Sequence, residues 1–122
     1  MHPKVLIVDD SASARHFITQ CFSGREVELC EARNGQEALD LFDEIQPSVV
    51  FLDLTMPVMD GFEALEHLRK RSPDIPVIVL TADVQKKTLE RIQGLGATEL
   101  LKKPPKREAL LETFDKCIEA SV

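Results

Sequence analysis

The stretch VVFLDLTMPVMDG, residues 49–61, contains the pattern from which the fold of this chain can be predicted. Its first four residues, Val49 to Leu52, are all apolar, which predicts a short strand buried on both faces in the middle of a parallel sheet. Asp60-Gly61 then opens a helix whose apolar residues recur at helical spacing until Ser72-Pro73 ends it. This stretch therefore predicts one structural unit, a buried strand followed by an amphipathic helix.

The same unit recurs on both sides of this stretch. Further strands are predicted at residues 5–8, 27–30, 77–80 and 99–101, and each precedes a segment with apolar residues three and four positions apart. Residues 27–30 alternate in polarity, which suits a strand near an edge of the sheet. Five β–α units in series predict an α/β fold, a three-layer (βα)5 sandwich in which a five-stranded parallel sheet carries helices on both faces. We expect residues 1–122 to form a single domain, because no linker or repeat interrupts the pattern.

Net charge, cysteine content and the N-terminal residues exclude some classes of partner and indicate the cellular compartment. The formal net charge of -6 argues against nucleic acid or an anionic membrane as the main partner, because both attract basic surfaces. Cys21, Cys30 and Cys117 are odd in number and lack CxxC spacing, which disfavours both a disulfide framework and a zinc site. The N-terminal residues MHPKVLIVDD have the pattern of neither a signal peptide nor a membrane span. We therefore expect a cytoplasmic protein without membrane attachment.

Polar residues follow four of the five predicted strands. The first strand runs into Asp9-Asp10, the third into Asp53, the fourth into Thr81 and the fifth into Lys102-Lys103. Each has an ordinary structural explanation when taken singly: aspartate often caps a helix, threonine is common in strands and lysine is usually solvated. Because the carboxyl ends of parallel strands meet at one edge of a sheet, their joint occurrence predicts a shared cleft there.

Several carboxylates in one cleft favour a bound hard cation. Neighbouring carboxylates raise one another's pKa and destabilise the fold unless a cation lies among them. Oxygen ligands without Cys or His favour Mg²⁺ or Ca²⁺ over zinc, and few protein ligands with retained water are typical of Mg²⁺ that serves phosphate. We expect Mg²⁺, with Mn²⁺ able to replace it. With the metal and Lys103 neutralising phosphate oxygens and Thr81 donating a hydrogen bond, Asp53 could attack phosphorus and form an acyl phosphate.

Four segments resemble the landmarks of response-regulator receiver domains in order and spacing. They are LIVDDS (residues 6–11), FLDLTMPVMDG (51–61), VLTAD (79–83) and GATELLKKP (96–104), and the resemblance covers the whole chain. It implies a flavodoxin-like fold with strand order 2-1-3-4-5. It also implies a phosphorylated switch of two-component signalling.

The resemblance further implies roles for individual residues. It makes Asp53 the phosphoacceptor, Lys103 the residue that binds a phosphoryl oxygen, and Thr81 the switch hydroxyl that moves toward the phosphoryl group. The Mg²⁺ ligands that it implies are Asp10 directly, Asp9 largely through a metal-bound water, Asp53, and the backbone carbonyl of Thr55.

Further expectations from the resemblance concern the readout of the switch. Pro104 should follow Lys103 through a cis peptide bond, which sets the direction of the lysine. Leu100 stands where the family usually has Tyr or Phe, so the side chain coupled to the switch threonine buries less area here and has no hydroxyl. The conformational change that normally signals phosphorylation to a partner should therefore be altered. Thr55 and Asp83 lie at positions that in the family tune dephosphorylation by steering water.

These features lead to one main hypothesis. The chain would be a stand-alone response regulator that takes a phosphoryl group onto Asp53 from a sensor histidine kinase or a phosphotransfer protein. It would then change its affinity for a separate partner, such as a chemotaxis component or a phosphatase. It would perform chemistry on itself rather than turn over outside substrates, and both a monomer and a phosphorylation-driven dimer are open.

Three alternatives are weighed against this hypothesis. A phosphatase or mutase that forms an aspartyl phosphate usually needs a second acid two residues after the nucleophile, where this chain has Thr55. A flavodoxin-like cofactor binder would need a phosphate-cradling loop after the first strand, where this chain has Asp-Asp-Ser. A phosphorylation-independent docking module would normally have lost Asp53, Lys103 or the acidic pair, and all are present. The switch is therefore favoured.

Overall fold

The structure, a computed structural model that describes residues 2–120, consists of five strands alternating with five helices. The strands are β1 (Lys4–Val8), β2 (Glu28–Ala32), β3 (Val49–Asp53), β4 (Val77–Thr81) and β5 (Glu99–Lys102). The helices are α1 (Ala12–Cys21), α2 (Gly35–Ile45), α3 (Gly61–Arg71), α4 (Lys86–Gly94) and α5 (Arg107–Ala120). The predicted alternation of strand and helix is confirmed.

The five strands form one parallel sheet in the order β2-β1-β3-β4-β5. This is the strand order that the sequence resemblance implies. Strands β3 and β4 are buried at every position, as their unbroken apolar runs predict, whereas β2 and β5 form the edges and are only partly buried.

One predicted strand differs from the observed one by more than a residue. The strand expected at residues 27–30 begins at Glu28 and continues to Ala32. It does so because β2 pairs in register with β1 along its whole length, from Lys4 opposite Glu28 to Val8 opposite Ala32. Backbone pairing carries the strand past the polar Glu31, and the pattern of side chains does not reveal this.

Each face of the sheet is covered by its own apolar cluster, because successive residues of a strand point to opposite faces. One face packs against α2 and α3 and against Ile92 of α4, and the other packs against α1 and α5. Phe22, Phe51 and Phe114 meet edge to face in the second cluster. The sequence pattern also places Phe17 on the apolar stripe of α1, but its side chain is 41% exposed, and the residues of α1 that are buried are Ile18 and Cys21.

The carboxyl ends of the central strands lie side by side. In the register of the sheet, Val8 is opposite Leu52, Asp53 is opposite Leu80, and Thr81 is opposite Lys102. The polar residues that end or follow β1, β3, β4 and β5 are therefore brought to one edge. No helix within residues 2–120 has the length and the apolar composition that crossing a membrane requires.

Candidate functional site

Three carboxylates meet at the carboxyl edge of the sheet. Asp9, Asp10 and Asp53 each offer an oxygen, and these atoms lie within 4.8 Å of one another. They converge because β1 and β3 are adjacent and parallel, so that the residues at the ends of both strands share one edge. Asp9 and Asp53 are buried, whereas Asp10 is exposed to solvent. The cluster thus has an open side through which a ligand can enter.

Lys103 supplies the positive charge of this cluster. Its Nζ lies 2.6 Å from Asp9 Oδ2 and 3.1 Å from Asp53 Oδ1. Its backbone N–H donates to the Thr81 carbonyl at 2.9 Å, which extends the β4–β5 pairing by one residue. The Lys103–Pro104 peptide bond is cis, as the resemblance implies. Sequence reasoning did not foresee the contact between Lys103 and Asp9.

The pKa values of the two central groups reflect their mutual charges. Burial raises the pKa of Asp53, the negative charge of Asp9 raises it further, and Lys103 only partly opposes the shift. Burial by itself lowers the pKa of Lys103, but its hydrogen bonds and charge attraction with Asp9 and Asp53 outweigh this, so the net shift is upward. The ammonium group therefore stays charged, while the carboxylates are short of positive charge.

The donor set fits a hard divalent cation. All three side chains offer carboxylate oxygens, which Mg²⁺ prefers, and the exposed side of Asp10 leaves room for retained water. The raised pKa of Asp53 also favours a bound cation. Burial and the negative charge of Asp9 disfavour the ionised carboxylate, and a cation beside it would stabilise that form. These three side chains could therefore hold Mg²⁺ or Mn²⁺.

The loop between β1 and α1 fixes the acidic pair. Asp9 Oδ1 accepts the Ser11 backbone N–H at 2.9 Å, and the Ser11 hydroxyl accepts the Ala14 N–H as the cap of α1. Arg15 donates from Nη1 to the Asp9 carbonyl at 2.7 Å and from Nε to Glu31 at 2.9 Å. Arg15 is a residue that sequence reasoning missed, since an arginine on the polar side of a helix carries no signal of such a contact.

The loop after Asp53 approaches the strand end very closely. The Gly61 N–H donates to the Leu54 carbonyl at 2.9 Å, and a Cβ at Gly61 would collide with the Asp53 carbonyl and lie 2.5 Å from the Leu54 Cα. Only glycine fits at this position. The chain therefore needs glycine for the tight turn into α3, and Thr55 lies exposed in the loop that this turn closes.

Thr81 and Asp83 form a second arrangement beside the carboxylates. The Thr81 Oγ1 accepts the Asp83 backbone N–H at 3.0 Å. The carboxylate of Asp83 accepts the hydroxyl of Thr88 at 2.7 Å and the Gln85 N–H at 3.0 Å, and these bonds hold the pKa of Asp83 below its usual range. Sequence reasoning missed Thr88, because its partner lies outside the helix to which it belongs.

The other predicted residues, Leu100 and Pro104, are not part of the cluster of three carboxylates. Leu100 lies opposite Val79 in β5, is partly buried and packs against the core. Pro104 is exposed. A groove of about 310 Å³ runs between α1 and the segment after β5, where Phe17, Lys103 and Pro104 are among its lining residues. The exposure of Phe17 reflects its position at this groove.

Comparison with known proteins gives a consistent result. The response regulator receiver domain family matches residues 5–115. The chain is 37% identical over 114 residues to the chemotaxis protein CheY of Listeria monocytogenes, with 93% of this chain and 96% of that protein covered. It is 41% identical over 115 residues to the response regulator MprA of Mycolicibacterium vanbaalenii, covering 91% of this chain but 48% of that longer protein.

Solved structures agree in fold as well as in sequence. The chemotaxis protein CheY4 of Vibrio cholerae superposes with a TM-score of 0.90 at 33% identity, with 96% of this chain and 99% of that chain covered. A Francisella response regulator receiver domain superposes with a TM-score of 0.90 at 30% identity, with 99% of this chain and 100% of that chain covered.

Proposed function

The chain belongs to the response regulator receiver domain family of two-component signalling, and from that premise we propose that it accepts a phosphoryl group on Asp53 in a reaction that requires Mg²⁺. The observation that carries the proposal is the position of Lys103, whose Nζ lies 3.1 Å from Asp53 Oδ1 within a cluster of three carboxylates. An ammonium group beside a nucleophilic carboxylate is positioned to bind an oxygen of the incoming phosphoryl group.

We propose Asp9, Asp10, Asp53 and the Thr55 carbonyl as the protein ligands of the cation. When bound there, Mg²⁺ or Mn²⁺ would neutralise charge on the phosphoryl oxygens and help to orient the group for transfer. Asp9 is buried and its Oδ2 is already engaged by Lys103, which fits a role through a metal-bound water better than direct coordination. Asp10 is exposed, and one of its carboxylate oxygens already lies within 4.8 Å of those of Asp9 and Asp53, which fits direct coordination.

Asp53 acts as the nucleophile in this proposal. One carboxylate oxygen attacks the phosphorus of a phosphohistidine, a new O–P bond forms and the P–N bond breaks. The electron pair of the broken bond stays on the imidazole nitrogen of the donor, and the product is an acyl phosphate. As negative charge develops on the phosphoryl group, Lys103 binds one of its oxygens instead of the Asp53 carboxylate. Thr81 donates a hydrogen bond from its hydroxyl to another phosphoryl oxygen.

We propose that the output is a change in affinity for a partner protein. Thr81 leaves its hydrogen bond with the Asp83 N–H when it turns toward the phosphoryl group, and Leu100, beside Val79 in the sheet, is the side chain that responds. The donor would be a sensor histidine kinase or a phosphotransfer protein. The groove lined in part by Phe17 and Pro104 supports the binding of another protein close to the site, because it offers an apolar contact surface beside Lys103.

Similarity to chemotaxis proteins supports a chemotaxis component as the downstream partner, whereas a phosphatase in that place stays a prediction from the sequence. We propose the cytoplasm as the compartment, because Cys21, Cys30 and Cys117 are odd in number and lack CxxC spacing, which disfavours the disulfide framework typical of secreted proteins. An aspartyl-phosphate phosphatase is the weaker candidate, because Thr55 stands where such an enzyme usually needs its second acid. Three statements stay predictions from the sequence: that residues 1–122 form a single domain, that this domain acts without an attached effector, and that it is either a monomer or a dimer.

The proposal is tested by mass spectrometry of the protein after incubation with a small phosphodonor. With Mg²⁺ the wild type should gain the mass of one phosphoryl group, and with a chelator it should gain none. Asp53→Asn should abolish the gain, whereas the control Asp40→Asn, at an exposed position on α2, should leave it unchanged. A folded Asp53→Asn variant that still gained the same mass would falsify the assignment of the acceptor.

A further inference from the structure

The N-terminus of α4 is capped by a residue that lies before the usual capping position. Gln85 is the N-cap residue, and its side chain makes no capping hydrogen bond. Instead, Asp83 Oδ1 accepts the Gln85 backbone N–H at 3.0 Å, and Asp83 Oδ2 accepts the Thr88 hydroxyl at 2.7 Å. The two oxygens of one carboxylate therefore hold the β4–α4 loop to the first turn of the helix.

The backbone of the same residue holds the side chain of Thr81. The Asp83 N–H donates to Thr81 Oγ1 at 3.0 Å. Because the N–H and the carboxylate belong to one residue, anchoring the carboxylate on α4 also fixes the direction of the N–H. Thr81 can turn toward Asp53 only if it gives up this hydrogen bond or if Asp83 releases the helix.

We infer that Asp83 is a positioning residue that opposes the switch, because its cap on α4 keeps Thr81 in the unphosphorylated position. The inference rests on the proposed function and adds a residue-level restraint to it. The carboxylate of Asp83 would then act through the helix rather than by steering the water that attacks the phosphoryl group.

The direction of the effect follows from linkage. A contact that forms in only one of two conformations stabilises that conformation. A ligand that binds the other conformation then binds more weakly, by up to the factor by which the contact shifts the equilibrium. Weakening the Asp83–Thr88 contact should therefore tighten the binding of a phosphoryl analogue. A merely structural contact would have no such effect, because its loss would leave affinity unchanged or reduce it.

The test is a titration of the whole protein with beryllofluoride in the presence of Mg²⁺, followed by fluorine NMR. Thr88→Val removes the hydroxyl but keeps the shape of the side chain, and it should bind about fivefold more tightly, the size expected from one hydrogen bond. Asp83→Asn keeps an acceptor for the Gln85 N–H and a donor toward Thr88, so it should lie closer to the wild type. The control Thr113→Val, on α5, should bind as the wild type does.

The same titration in a Thr81→Ala protein shows whether the change in affinity caused by Thr88→Val depends on Thr81. In a Thr81→Ala protein the side chain held by Asp83 is gone, so adding Thr88→Val should no longer change the affinity. Unchanged or weaker binding by a folded Thr88→Val protein would overturn the inference, as would an equal gain in the Thr81→Ala background. If the wild type failed to bind beryllofluoride at all, the proposed function itself would be overturned, and the inference with it.

Discussion

Lys103 and Asp9 lie 94 positions apart in the chain, yet the Nζ of one is 2.6 Å from the Oδ2 of the other. The same Nζ is 3.1 Å from Asp53 Oδ1, so one ammonium group lies between two buried carboxylates while Asp10 lies beside them. A single positive charge cannot neutralise three ionised carboxylates. The fold therefore creates a deficit of positive charge at the carboxyl edge of the sheet, and a divalent cation would remove it.

Removing the lysine should destabilise the protein. In Lys103→Met the Asp9 and Asp53 carboxylates lose their shared partner, and the free energy of unfolding without divalent cations should fall by about 3 kcal/mol, the low end for a buried pair because Lys103 is 25% exposed. Mg²⁺ should restore more stability to this variant than to the wild type, because a cation is then the main source of neutralising charge. Urea unfolding with and without Mg²⁺ measures both effects.

The matched control for this variant is Lys102→Met, at the neighbouring exposed position. Its stability should stay within about 0.5 kcal/mol of the wild type. An equal loss of stability in the two variants would contradict the role assigned to Lys103.

The raised pKa of Asp53 predicts a pH dependence of stability. In the folded protein Asp53 holds its proton more tightly than in the unfolded chain, so its ionisation costs stability as the pH rises from the ordinary Asp value of about 3.9 through the raised value. Without divalent cations, Asp53→Asn should therefore be more stable than the wild type at pH 7, and the difference should shrink toward acidic pH. Urea unfolding across this pH range tests the sign, and a variant less stable than the wild type at pH 7 would contradict it.

Arg15 should support the cation site without contributing a ligand. It donates to the Asp9 carbonyl and thereby fixes the loop that carries Asp9 and Asp10. Arg15→Ala should weaken Mg²⁺ binding by about tenfold, as expected for a residue that orients metal ligands. Calorimetric titration with Mg²⁺ measures the change. Arg33→Ala, which removes an exposed arginine that bonds only to Glu37 among the residues described, should leave the affinity unchanged.

Gly61 should tolerate no side chain. In Gly61→Ala the new methyl group would press on the Asp53 carbonyl and on the Leu54 Cα, and the free energy of unfolding should fall by about 3 kcal/mol. Gly94→Ala is the matched control, because a Cβ there meets nothing within 4 Å and the residue lies in α4. That variant should be as stable as the wild type or more stable by up to about 1 kcal/mol. Equal effects at the two glycines in urea unfolding would contradict the packing seen at Gly61.

The elements of the fold could be predicted because their signals are local. Unbroken apolar runs such as Val49 to Leu52 and Val77 to Leu80 predict buried strands, and the helical spacing of apolar residues between them predicts the helices. The strand order came instead from the resemblance of four segments to a family. The spacing placed Phe17 on the apolar stripe of α1, yet its side chain is 41% exposed because it lines the groove beside Lys103 and Pro104, which spacing alone does not reveal.

The sequence by itself determined which chemical groups stand at the ends of the strands: the acidic pair at Asp9-Asp10, Asp53, Thr81 and Lys103. It could do so because the carboxyl ends of parallel strands meet at one edge whatever the details of packing. Only the tertiary structure decided how these groups pair: that Lys103 bonds to Asp9 as well as to Asp53, that Arg15 supports the acidic loop, and that Asp83 bonds to Thr88. Such pairs depend on register and side-chain direction across elements distant in the chain, and local periodicity contains no information on either.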